Sequence, residues 1–194
     1  GPHLRTRPEP SPMTARRCPT VVRRLNAPQS LMALPPLLLP PAVTLASGLP
    51  AGQSALAATI GVFPAVLSHW LTGRIRSGSG RLRPAALVGA LSTSLFACLV
   101  VGSAYYGFVF APFLVLLFGL LGLLSLRGTW TLARGGRRGA LAVCLPLCLV
   151  AAVALRVSPG GPAAALLHLA GWACVALAAL NCALTLRAPG RRDG

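Results

Sequence analysis

Only two carboxylates occur in the 194-residue chain, Glu9 and Asp193, and both stand near its ends. Acid–base catalysis by paired carboxylates needs two such groups facing one bond, and a carboxylate proton relay across a membrane needs at least one inside an apolar segment. Neither arrangement is available, so both chemistries are excluded. The groups left to exchange protons or meet an ion are His69 and His168, each within an apolar stretch, with Asn181 as a third polar residue. An ionisable side chain in such a stretch is costly and therefore a functional suspect. His69 precedes Trp70 and a run of arginines, which equally suits a wet interfacial position. His168 lies several residues into its stretch, where a neutral imidazole satisfied by a neighbouring helix competes with a place on a solute path. Asn181 reads as polar glue between helices.

Six cysteines, Cys18, Cys98, Cys144, Cys148, Cys174 and Cys182, form no C-x-x-C pair, and all but Cys18 lie in apolar runs. Cys144 and Cys148 share a helix face, as do Cys174 and Cys182, yet free cysteine ordinarily behaves as a small buried apolar residue. No metal and no cofactor are expected. Serines are plentiful but none has a recognisable partner base, so the chain reads as not an enzyme.

The elements that carry these residues are apolar helices. The composition is 55% hydrophobic and 10% charged, with a mean hydropathy of +0.72, whereas a soluble domain carries about 25% charged residues. A span needs about 20 apolar residues. Residues 84–126 form an apolar run of about twice that length, interrupted at Gly102 to Gly107, and so must be a hairpin of spans near 85–104 and 108–127. Residues 139–157 and 162–186 give two more, and 54–72 another. Residues 30–49 are apolar but hold Pro35, Pro36, Pro40 and Pro41, which free backbone carbonyls and predict either an unwound segment along a path or a kinked helix. Small residues at Ala85, Gly89, Thr93 and Ala97, and at Ala170, Cys174, Ala178 and Cys182, predict close helix approach.

The net charge of +16 does not indicate nucleic acid, because its arginines sit in clusters between apolar stretches. Six spans with a cytoplasmic N-terminus place every basic residue except Arg156 on the inner side. A four-span arrangement lacking the first two spans preserves the same sign pattern. Residues 1–24 lack an apolar run and predict a disordered basic tail with no cleavable signal peptide, Met13 being a possible start. Residues 25–188 form the membrane domain, and 189–194 a short basic tail. Trp70, Trp130, Tyr105 and Tyr106 fall near span ends, as an aromatic belt would.

The run Ala163-Ala164-Ala165-Leu166-Leu167-His168-Leu169-Ala170-Gly171-Trp172 resembles the "A-A-x-x-H-x-A-G-W" opening of the last span in the acetate uptake transporters, the succinate–acetate permeases. Asn26 to Leu34 faintly echoes that family's "N-P-A-P-L-G-L" signature, and Gly61-Val62-Phe63 with Gly73 resembles its second span. The resemblance implies an all-α bundle of six spans with both termini inside, assembled as a homo-oligomer in the plasma (inner) membrane. It also implies passage of acetate or a similar small carboxylate through each protomer. The family's constriction positions map to Leu34, Leu91 and the Leu147–Cys148 pair, with Phe63, His69 and His168 completing the path. The aromatic constriction residues are leucine here, and the "F-Y-G-G-x-x-Q" stretch is replaced by Phe63 to His69. A non-transporting accessory subunit of the same fold is the competing reading. The partners expected are the lipid bilayer and the carboxylate solute, with no nucleic acid.

Overall fold

The computed structural model describes residues 27–46, 48, 50–77, 81–106, 111–156 and 162–188. The tails expected over 1–24 and 189–194 lie outside the described residues. Among those described the chain is all-helical: α1 (Ala27–Ala46), α2 (Ala51–Ser77), α3 (Arg83–Tyr106), α4 (Ala111–Ala133), α5 (Gly139–Arg156) and α6 (Pro162–Arg187). Five of these, α2 to α6, contain stretches long and apolar enough to cross a membrane, while the Gln29–Leu45 part of α1 is apolar but shorter. Such a set of helices points to a multi-pass membrane protein.

The helices lie close to the apolar runs because hydropathy is a local property. The largest departure is in α4, which begins three residues later and ends six residues later than its apolar run suggests. Arg127, expected at the cytoplasmic end of its span, therefore lies within α4, six residues before its end. The helix runs on until glycines stop it. Gly135 takes φ +89, the Gly136 N–H donates to Thr131 O at 2.9 Å, and the Gly135 N–H donates to Leu132 O at 2.9 Å. That pair of bonds is a Schellman cap, which requires a left-handed residue just past the last turn.

Consecutive helices pack as antiparallel hairpins, α1 with α2, α3 with α4 and α5 with α6, and α3 touches every other helix. It is the central element, with 56% of its apolar stretch buried against 22% for α4 and α6. Alternation places the N-terminus of α1, the α2–α3 turn, the α4–α5 turn and the C-terminus of α6 at one end. Contacts across that end hold it together: Gln29 lies beside Gly73, and the Arg137 guanidinium donates to the Ala188 carbonyl. Every described arginine except Arg156 belongs to this end.

The prolines of α1 do not unwind it. Each lacks an N–H, so the carbonyls of Leu31, Met32, Pro36 and Leu37 lose their intrahelical donors. Neighbouring helices supply donors to two of these four: the Ser68 hydroxyl of α2 donates to Met32 O at 2.7 Å, and the Cys98 thiol of α3 donates to Pro36 O at 3.6 Å. Gly61 of α2 is pressed against the same carbonyl, and a Cβ built there would collide with Pro36 O and stand 2.9 Å from the Leu37 Cα. Gly61→Ala should therefore cost about 1–3 kcal/mol of stability through overpacking. Gly52→Ala, where a Cβ meets nothing within 4 Å, should be neutral or gain up to about 1 kcal/mol of helix propensity. Unfolding midpoints of the two variants in detergent check the contrast.

Candidate functional site

The interior of the bundle is a polar seam built on small residues. On α3, Gly89 and Thr93 face α4, where Ser125 and Thr129 complete a chain of hydroxyls. Thr93 Oγ1 lies 3.1 Å from Ser125 Oγ and 3.4 Å from Thr129 Oγ1, and the Ser125 hydroxyl donates to Ser92 Oγ at 3.2 Å. Thr93 and Thr129 also reach backbone carbonyls, Gly89 O at 2.9 Å and Ser125 O at 2.8 Å. All four hydroxyl residues are buried. Because each has a partner, the seam joins helices and offers no free group to a solute. Asn181 extends it to α6: fully buried, it donates from Nδ2 to Ala85 O at 2.8 Å. The glue expected of Asn181 is in place.

Of the two small-residue stripes, that of α3 is packed inside the chain, whereas that of α6 is only partly so. Ala178 is buried and Cys174 half-buried, but Ala170 and Cys182 are exposed. The buried face of α6 runs instead through Gly171, Cys174, Ala178, Asn181 and Thr185. A strict four-residue step drifts about 40° around a helix of 3.6 residues per turn, so alternating threes and fours keep to one face. Cys144 of α5 meets this face at Ala178, its thiol 3.5 Å from Ala178 O, and lies 3.3 Å from Cys182 Sγ at the edge of the face.

A cleft opens between α2 and α4. Both pack on α3 but make little contact with each other. Its deeper part is an apolar cavity of 250 Å³ lined by Phe63, Leu67, Phe96, Val100, Phe118 and Gly119 among others. Toward the arginine-rich end it meets a second cavity, of 460 Å³, bounded by Trp70, Trp130, Arg127, Arg134 and Thr131. Leu123 and Leu126 line both. Two guanidinium groups stack on the indoles at the mouth, Arg74 over Trp70 at 5.6 Å and Arg134 over Trp130 at 5.2 Å. Such stacking holds planar donors in fixed positions.

The residues proposed for a solute path do not converge in these cavities, apart from Phe63. Leu34 is 43% exposed on α1, Leu147 is 1% exposed in the core, Leu91 is half-buried and Cys148 exposed. His69 is exposed beside Trp70 at the arginine-rich end, consistent with an interfacial position. His168 lies in the second turn of α6 at the opposite end, with Nε2 buried and without a hydrogen-bond partner among the described residues. The sequence reads Trp70 and Trp130 as belt residues and Arg127 as the cytoplasmic end of a span, which does not reveal the cleft. The four-residue spacings Trp70–Arg74 and Trp130–Arg134 were the available signal, since they place ring and guanidinium on one helix face.

No protein-family model, curated protein or solved structure matches this chain.

The seam yields a test of its own architecture. Thr93→Val should cost less than about 1 kcal/mol, because Ser125 and Thr129 keep other partners, whereas Asn181→Ala should cost about 1–2 kcal/mol by severing α6 from α3. Reversible unfolding in mixed micelles measures both.

Proposed function

We propose that the chain spans the plasma (inner) membrane six times with both ends in the cytoplasm, and moves acetate or a similarly small monocarboxylate. The observation that carries this reading is an asymmetry along the bundle. One end gathers arginines with no carboxylate among the described residues, and the other holds the buried Nε2 of His168. A basic mouth concentrates anions, and the unpartnered imidazole nitrogen at the opposite end offers a carboxyl group a directional partner. The His168 segment is also the stretch that resembles the acetate uptake transporters. The arginine distribution supports the orientation. Ala27–Ala46, at 20 residues, has a helical rise of about 30 Å, matching a ~30 Å hydrocarbon core, which supports α1 as the sixth span.

A second reading, a non-transporting accessory subunit of the same fold, is favoured by the packed position of Leu147 and the outward position of Leu34. Uptake of labelled acetate into cells expressing the chain, beside an empty-vector control, separates the two. Transport predicts saturable uptake, and His168→Ala should reduce apparent affinity roughly 10–100-fold, as expected for loss of a hydrogen bond to a charged or polarised group. Absence of uptake with the protein verified in the membrane overturns the carboxylate proposal. Topology is tested with Pro50→Cys and Ser158→Cys in a background without native cysteines. A membrane-impermeant maleimide should label both from outside, and failure at position 50 would overturn six spans.

A further inference from the structure

We propose that the cleft between α2 and α4 is a binding groove for one anionic glycerophospholipid, with its phosphate at the mouth formed by Arg127, Arg134, Trp70 and Trp130 and an acyl chain along the apolar floor. The proposal depends on the chain residing in a bilayer and not on transport, so it stands or falls apart from acetate flux.

Three features carry it. The first is charge: Arg127 and Arg134 line the mouth, Arg74 stacks beside it on Trp70, and no carboxylate among the described residues offsets them. The Arg134 guanidinium, held on the Trp130 indole face, presents planar donors that match phosphate oxygens, with Arg127 beside it. The second is continuity: the polar mouth and the apolar floor share Leu123 and Leu126, so an amphiphile can occupy both at once. The third is depth. From Leu126 to Phe118 the floor runs eight residues along α4, about 12 Å, close to the ~15 Å of one leaflet's hydrocarbon. The groove exists because α4 is thin there. A Cβ on Gly119 meets nothing within 4 Å, and Gly122 allows Phe96 to lie close. A small free anion would fill the mouth and leave this apolar length without an occupant. A second copy of the chain would bring its own arginines against the first.

Tryptophan quenching tests the assignment. The full chain carrying Trp172→Phe, which leaves only Trp70 and Trp130, is purified in detergent and titrated with phosphatidylglycerol bearing brominated acyl chains. Brominated phosphatidylcholine serves as the comparison. The expected result is saturable quenching at a several-fold lower concentration of the anionic lipid. Arg127→Gln/Arg134→Gln should shift the midpoint about tenfold, while Arg138→Gln, at the same end but outside the cleft, leaves it in place. Gly119→Leu, which fills the floor where there is room, should also weaken quenching, and its unchanged unfolding midpoint would show that the fold is intact. Equal quenching by both lipids would reduce the cleft to ordinary lipid-facing surface and overturn the proposal. Displacement of the anionic lipid by millimolar inorganic phosphate with no effect of Gly119→Leu would overturn it in favour of a free-anion site. Loss of lipid quenching as the chain self-associates would overturn it in favour of a second copy.

Discussion

A polar group inside an apolar bundle is costly unless it finds a partner within the chain, and much of the arrangement of these helices follows from that constraint. Where lipid replaces water, an unsatisfied carbonyl or hydroxyl costs several kcal/mol. The carbonyls freed by the prolines of α1 are the severest case, and Ser68 and Cys98 meet two of the four, Met32 O and Pro36 O, from two different helices. The same requirement links Thr93, Ser125 and Thr129 into one network and ties Asn181 to Ala85. Small residues make these meetings possible. Gly61 lets α2 approach the α1 backbone, and Gly128 and Gly139 let α4 and α5 touch backbone to backbone.

Satisfying so many groups on α3 puts that helix at the centre, and the cleft is the geometric result. With α2 and α4 both drawn to α3, they flank it without closing on each other. The Gly119–Gly122 face of α4 deepens the gap. The mouth of the cleft falls where the arginines are, because the arginine-bearing ends of α2 and α4 emerge together. Packing and charge thus produce an amphiphilic groove together, although neither requires it alone.

The polarity of the bundle is a separate matter from its packing. Arginines at one end bias orientation and attract anions, whether solutes or lipid headgroups. The far end holds His168, whose Nε2 is buried without a hydrogen-bond partner among the described residues. The seam between them has its hydroxyls engaged with one another. The groups left open to a ligand therefore lie toward the ends of the molecule and not in its polar seam.

The sequence by itself determined where helices form, which end carries the charge, that Asn181 joins helices and that the α3 stripe is an interface. These are properties of apolar length, residue size and charge along a single segment, and hydropathy reports them one residue at a time. Tertiary structure alone decided that α1 stays helical through four prolines, since the donor for Met32 O comes from Ser68, 36 residues on. It also set which face of α6 is buried, because a helix turns by 100° per residue and strict four-residue spacing leaves the face it began on. The cleft, and the scattering of Leu34, Leu91 and Leu147 over different environments, were likewise invisible along the chain. Hydrogen bonds and packing contacts in an apolar medium join residues distant in sequence, and only the completed fold selects the pairs.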